Sequence, residues 1–131
     1  MTRSPIQSIT GGYDVHLVFQ EEREARATHL FHSCISFLNE HDIVYQNHRI
    51  FSQPVGPWPT GMWQFELPFS NHVFQDLGLC ISWLMLNRED FSVMIHPNTK
   101  KERGVGGALE DHSQNHLWLG IPLQLKMSIF S

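Results

Sequence analysis

Two segments of the chain alternate apolar and other residues with the period of a β-strand, and this restricts the fold more than any other feature. Residues 13–19 and residues 91–95 place an apolar side chain at every second position. Because successive side chains of a strand point to opposite faces, each segment has one face for a hydrophobic core. The other face carries Asp14, His16, Ser92, Met94 and His96. The pattern therefore predicts a sheet with one apolar face and one face that bears functional groups.

Two helical segments separate the predicted strands. Residues 21–40 begin with acidic side chains, which favour a helix N-terminus, and continue with apolar residues at helical spacing. Residues 71–86 have the same spacing, and two further strands are predicted at residues 44–51 and 62–67. The order βαββαβ predicts a ferredoxin-like α+β fold, an antiparallel sheet with both helices on one face.

The second face of this sheet has no cover within the βαββαβ unit. It would carry Asp14, His16, Met62, Gln64, Glu66, Met94 and His96. Such a face must line a pocket, pack on a second subunit, or lie under the segment from Lys100 onward. A homodimer through this open face, including a dimeric α/β barrel, is one arrangement we consider.

The length of 131 residues allows one domain. We expect it to span residues 13–131, after a flexible lead at residues 1–12 that has little to bury. The formal net charge of −4, with no basic cluster beyond Lys100 and Lys101, argues against nucleic acid and anionic membranes as partners. No apolar run reaches the roughly 18 residues of a spanning helix, so we expect a cytoplasmic protein.

Histidine is the outlier in composition, with nine residues. His16 and His96 share the second face, and the first and fourth strands are neighbours in this topology, so the two rings can approach each other. Glu66 points the same way from the third strand. Two histidines and a carboxylate with open positions suit non-haem Fe(II). His112 can fold back toward the same place, so the third ligand is either Glu66 or His112.

Each of these residues also has an ordinary structural interpretation. His16 can be a half-buried strand residue that is hydrogen-bonded to a neighbour. Asp111, beside His112, either orients a ligand or is a solvated acid. Trp58 lies in a turn rich in proline and glycine, outside the predicted core, where it can form the wall of a pocket.

Five short motifs in order resemble those of the DOPA 4,5-dioxygenase family of small extradiol dioxygenases. They are Tyr-x-x-His-x-x-Phe from Tyr13, Pro-Val-Gly-Pro-x-Pro from Pro54, His-Pro-Asn-Thr from His96, Asp111-His112, and Trp-Leu-Gly from Trp118. The similarity runs from about residue 13 to residue 130. The resemblance implies a ferredoxin-like fold and Fe(II)-dependent ring cleavage of a catechol, a small aromatic substrate, with O2 as co-substrate.

The same resemblance implies roles for individual residues. His16 matches the second histidine of the family's HxH strand motif, His96 the HPNT histidine, and His112 the histidine of the DH pair. The candidate site then has His16, His96 and Glu66 as metal ligands, Asp14 and His112 as catalytic residues, and Trp58, Gln64 and Asn98 as substrate-binding residues.

Three positions depart from the pattern of the relatives. Asp14 stands where they typically have the first histidine of HxH, Trp58 where they read GPHP, and Gln64 where many have an acid. The leading hypothesis is an extradiol enzyme. A catalytically degenerate homologue that binds a small molecule is the second, and a dimer whose interface satisfies the histidines is the third.

Overall fold

The computed structural model describes residues 5–100 and 107–130. Its strands and α-helices are β1 (Ile9–Phe19), α1 (Glu24–Glu40), β2 (Gln46–Phe51), β3 (Gly61–Leu67), α2 (Val73–Asn87), β4 (Ser92–Thr99), α3 (Ala108–Ser113) and β5 (Leu117–Leu119). Short 3-10 helices cover Pro5–Ser8, Glu21–Arg23 and Met127–Phe130. The predicted βαββαβ order is confirmed. No helix in the described ranges is long and apolar enough to cross a bilayer.

The strands form one antiparallel sheet in the order β2-β3-β1-β4-β5. The first four have the ferredoxin-like arrangement, with β1 next to β4 as expected. The sheet is open, with β2 and β5 at its edges, so the chain by itself is not a barrel. Strand β5 and helix α3 are not among the predicted elements. They have three and six residues, too few to show a periodicity.

The main core lies between the sheet and the helices α1 and α2. Apolar residues of β1, β3 and β4 fill it, as their alternation predicts, and Val15, Leu17, Trp63, Phe65 and Val93 are fully buried. The Trp63 indole N–H donates a hydrogen bond of 2.9 Å to the Ala27 carbonyl of α1. This packing fixes the register of the three central strands, and with it the positions of the side chains on the second face.

The C-terminal segment of the chain itself covers part of the second face. Val18, Trp58, Met62, Met94 and Leu125 form a second buried cluster with Phe51, Trp118, Leu123 and Met127 around it. The Lys126 N–H donates to the Pro57 carbonyl at 2.8 Å, which ties this segment to the turn after β2. The expectation that Trp58 lies outside the core is wrong, since only 3% of it is exposed. A homodimer through this face stays a prediction.

Strand β1 begins at Ile9, so residues 9–12 belong to the sheet and the boundary predicted at residue 13 falls inside a strand. A register shift lies between Ile9 and Tyr13, and Gly12 there has φ of 75°. A Cβ at this position would lie 1.8 Å from the Leu67 carbonyl oxygen. Only glycine fits this irregularity. Residues 1–4 of the predicted lead are outside the described residues.

Candidate metal centre

Three histidines from three different elements meet on the second face of the sheet. His16 comes from β1, His96 from β4 and His112 from α3, and their candidate ligand nitrogens all lie within 4.8 Å of one another. The His16 and His96 Nε2 atoms are 3.2 Å apart. The ring centroids of His96 and His112 are 4.1 Å apart. The predicted approach of His16 and His96 is therefore confirmed, and His112 folds back to join them.

Burial sets the charge state of all three rings. Loss of water penalises an imidazolium, so the pKa of His16 falls well below its usual value, and neighbouring His96 and His112 lower it further. Burial likewise lowers the pKa of His96, against the opposing effect of its hydrogen bond to Pro97, and lowers the pKa of His112. The three imidazoles are therefore neutral at neutral pH, which is the state that binds a metal ion.

Hydrogen bonds to carbonyl groups fix two of the three tautomers. His96 Nδ1 lies 2.9 Å from the Pro97 oxygen, and His112 Nδ1 lies 2.7 Å from the Ala108 oxygen. A carbonyl only accepts, so each Nδ1 carries the proton and the lone pair of each ring is on Nε2. Ligating histidines are usually oriented in this way. His16 differs, because its buried Nδ1 has no hydrogen-bond partner among the described residues.

The spacing of the His16 and His96 nitrogens fits a transition-metal ion. Two nitrogens each about 2.1 Å from one ion lie about 3.0 to 3.4 Å apart at angles of about 90 to 109°. The 3.2 Å between the Nε2 atoms of His16 and His96 falls in this interval. Neutral imidazoles bind Fe, Zn, Cu and Ni. The three histidines can therefore hold a metal ion, and the donor set does not select one of these elements.

A buried carboxylate positions His112. Asp111 is 3% exposed, and it accepts hydrogen bonds from the Thr99 N–H at 2.9 Å, the Thr99 hydroxyl at 2.7 Å and the Asn115 amide at 3.2 Å. The Gly107 N–H in turn donates to the Thr99 hydroxyl oxygen at 2.9 Å. This Asp111–Thr99 clamp joins α3 to the end of the strand that carries His96. The interpretation of Asp111 as a solvated acid is therefore wrong, and Thr99 is a positioning residue that sequence reasoning missed.

We expect Asp111→Ala to weaken both folding and metal binding. The change leaves the Thr99 N–H and hydroxyl without their acceptor, which should lower the free energy of unfolding by about 1 to 3 kcal/mol. Loss of the clamp also frees His112, so the affinity for Zn(II) should fall by about 10- to 100-fold, as when residues that orient a ligand are lost. Urea denaturation and calorimetric titration measure the two effects.

The neighbouring acid on α3 provides the control. Glu110→Ala removes a half-buried carboxylate one residue away and should leave the Zn(II) affinity unchanged. Thr99→Val, which replaces the hydroxyl by a methyl group and keeps the backbone N–H, should give a smaller loss in the same direction as Asp111→Ala. An unaltered Zn(II) affinity in folded Asp111→Ala protein would mean that the clamp does not position His112.

The Asp14 carboxylate faces the histidine cluster. Its Oδ2 is 3.6 Å from His96 Nε2 and 3.8 Å from His16 Nε2, while its Oδ1 accepts a hydrogen bond of 2.7 Å from the Asn98 amide. Burial raises the pKa of Asp14 to about 6, although the hydrogen bond from Asn98 opposes the rise. Asp14 thus lies where a proton of a bound ligand could be transferred, and Asn98 orients it.

Glu66 and Gln64 face the second side of the sheet as expected but lie toward β2. Glu66 Oε2 accepts hydrogen bonds from the Gln46 amide at 3.1 Å and the Asn47 amide at 2.9 Å. Of the two alternatives for the third ligand, the structure brings His112 and not Glu66 into the cluster. The side-chain amides of β2 explain the position of Glu66. Gln64 is half-buried and lies opposite His16 in the pairing of β1 and β3.

Two aromatic rings enclose the histidines. The Trp58 ring lies against His16 with centroids 4.4 Å apart, and the Phe130 ring stacks on His112 with centroids 4.7 Å apart. Trp58 thus lies beside the histidines, and its role as the wall of a substrate pocket stays a prediction. Phe130 was not a predicted site residue, because its 3-10 helix has no local pattern that places it there.

Three known proteins and one family profile show what this chain is similar to. A 21.2 kDa uncharacterized protein of Botryotinia fuckeliana is 34% identical over 130 residues, 95% of this chain and 67% of that protein. A DOPA 4,5-dioxygenase of Amanita muscaria is 32% identical over 79 residues, 59% of this chain but 30% of that protein. A crystal structure of a proposed dioxygenase from Nostoc punctiforme superposes with a TM-score of 0.71 at 28% identity, covering 98% of this chain and 96% of that one. The profile of the Dopa 4,5-dioxygenase family matches residues 13–129, so the chain belongs to this family.

Proposed function

We propose that the protein is a non-haem iron dioxygenase that cleaves the ring of a catechol by the extradiol route. The observation that carries this proposal is the convergence of His16, His96 and His112, all neutral, beside the Asp14 carboxylate. Membership of the Dopa 4,5-dioxygenase family and the likeness to the Nostoc structure support an oxygenase. Iron and the extradiol route are the parts that the proposal adds.

The Nε2 atoms of His16, His96 and His112 would hold Fe(II). In His96 and His112, the hydrogen bond from Nδ1 to a carbonyl leaves the lone pair of the ring on Nε2. Bound Fe(II) supplies the redox-active centre at which a catechol and O2 can react. Asp14 would accept the proton of a catechol hydroxyl, since its Oδ2 is within 4 Å of two of the ligand nitrogens. Asn98 keeps this oxygen directed at the cluster.

The aromatic side chains around the cluster would bind and shield the substrate. Trp58 presents a large ring beside His16, and aromatic rings attract one another in stacked or edge-on contacts. Phe130 covers His112 from the other side. These apolar surfaces exclude water from the place where the ring would react.

One observation favours the second candidate, a catalytically degenerate homologue that binds a small molecule without turnover. The buried Trp58 ring is in contact with His16 and occupies space next to the cluster. A general acid or base positioned there is worth about 10²- to 10⁴-fold in rate, and an indole ring provides neither. Metal and ligand binding are common to both candidates, and O2 consumption separates them.

We expect protein loaded anaerobically with Fe(II) to consume one O2 per DOPA on mixing with DOPA and air, because extradiol cleavage inserts both oxygen atoms. We also expect a yellow product. An oxygen electrode and an absorbance trace follow the reaction. His96→Ala protein treated in the same way, Zn(II)-loaded protein and free Fe(II) are the controls. Oxygen uptake no faster than with free Fe(II), together with measurable catechol binding, would leave the second candidate.

A further inference from the structure

An arginine at the edge of the sheet shares a row of side chains with the histidine cluster. Arg49 of β2 lies opposite Gln64 of β3, and Gln64 lies opposite His16 of β1. Phe51, two residues further along β2, packs against the cluster of the second face, so Arg49 points to that face too. With strands about 4.8 Å apart, the backbones of Arg49 and His16 are about 10 Å apart.

The row runs from buried to exposed residues. His16 is 3% exposed, Gln64 is half-buried and Arg49 is exposed. On the β4 side, α3 and Phe130 cover the cluster. A ligand whose ring lies at the histidines would therefore extend over β3 and place its far end near Arg49.

The Arg49 side chain is held in place, and no described carboxylate is paired with it. Its guanidinium lies over the Phe51 ring, 4.6 Å from the centroid, a cation–π contact that restrains it. Arg23 and Arg26 are paired with Asp90 and Glu89, whereas within residues 5–100 and 107–130 no carboxylate forms an ion pair with Arg49. With no carboxylate partner among the described residues, its N–H donors can bind a ligand carboxylate through two parallel hydrogen bonds.

We propose that Arg49 determines substrate specificity by binding a carboxylate at the far end of an aromatic ligand whose ring lies at the histidine cluster. This inference rests on the proposed function and deepens it, because it selects catechols with an acidic side chain over neutral ones. Asp14 and Glu66, which project from β1 and β3 on the same face, are acidic and would repel such a ligand. The positive charge of Arg49 can offset this repulsion.

Binding to Zn(II)-loaded protein tests the inference without turnover. Calorimetric titration compares 3-(3,4-dihydroxyphenyl)propionate, which is an anion, with the neutral 4-methylcatechol. Wild-type protein should bind the acid at least about tenfold more tightly, since hydrogen bonds between charged groups are among the stronger ones. Arg49→Gln should abolish this preference while it changes the affinity for 4-methylcatechol by less than about twofold. Arg49→Lys keeps the positive charge but loses the planar guanidinium group, so it should retain part of the preference for the acid.

A second arginine controls for net charge. Arg26→Gln removes a positive charge on α1, where Arg26 pairs with Glu89, and should leave the preference for the acid intact. An equal preference in wild type and Arg49→Gln, or an equal loss of affinity for both ligands, overturns the inference and leaves the proposed function standing. Failure of wild-type protein to bind either ligand overturns both. An unchanged Zn(II) affinity shows that the Arg49 variants are correctly folded.

Discussion

Replacing His96 by alanine is expected to lower the affinity for Fe(II) by at least about 100-fold, because loss of even the residues that orient a ligand costs about 10- to 100-fold. His96 lies at the centre of the site, with its Nε2 3.2 Å from His16 Nε2 and 3.6 Å from Asp14 Oδ2. Anaerobic calorimetric titration measures the effect, and Mn(II) and Zn(II) should follow the same trend. The ring is 1% exposed, so the metal-free variant should also be less stable.

Two further variants separate ligation from general destabilisation. His112→Ala removes a half-buried ring on a short helix, so its loss of metal affinity should be accompanied by a smaller change in stability. His72→Ala, at an exposed position before α2, should bind metal like the wild type. Wild-type protein that takes up none of Fe(II), Mn(II) and Zn(II) would contradict the assignment of these histidines as ligands.

Trp58→Ala is expected to lower the free energy of unfolding by about 3 to 5 kcal/mol, the usual cost of truncating a buried tryptophan. The residue is 3% exposed and belongs to the second buried cluster with Val18, Met62 and Leu125. Trp58→His should also destabilise the protein, because it places a smaller, polar ring in an apolar cluster. Urea denaturation at constant m-value measures both changes.

An exposed aromatic residue provides the matched control. Phe69 lies in the loop before α2 and is 52% exposed, so Phe69→Ala should change stability by less than about 0.5 kcal/mol. Trp58→Phe, which retains an apolar ring, should cost less than Trp58→Ala. A loss within about 1 kcal/mol for Trp58→Ala would agree with a partly exposed turn and contradict the buried position.

The central strands and the faces of their side chains follow from local patterns in the sequence. The alternation from residue 13 to residue 19 is a local property, because each side chain's direction depends only on its position along an extended backbone. It correctly placed Val15 and Leu17 in the core and His16 on the second face. The order of helices and strands then made β1 and β4 neighbours, which brought His16 and His96 together.

The covering of the second face and the third residue beside the two histidines depend instead on contacts between segments far apart in the chain. His112 reaches His16 and His96 because Asp111 is hydrogen-bonded to Thr99. These two residues are twelve positions apart in the chain, so no periodic pattern predicts their contact. Trp58 is buried because Leu125, from a segment without a predicted element, packs in the same cluster. The Glu66 side chain points to the side-chain amides of β2. This direction depends on the side-chain conformation of Glu66 and not on the face of the sheet from which it projects. Such contacts depend on the three-dimensional meeting of short or irregular segments, whereas a periodic pattern reports only the local backbone.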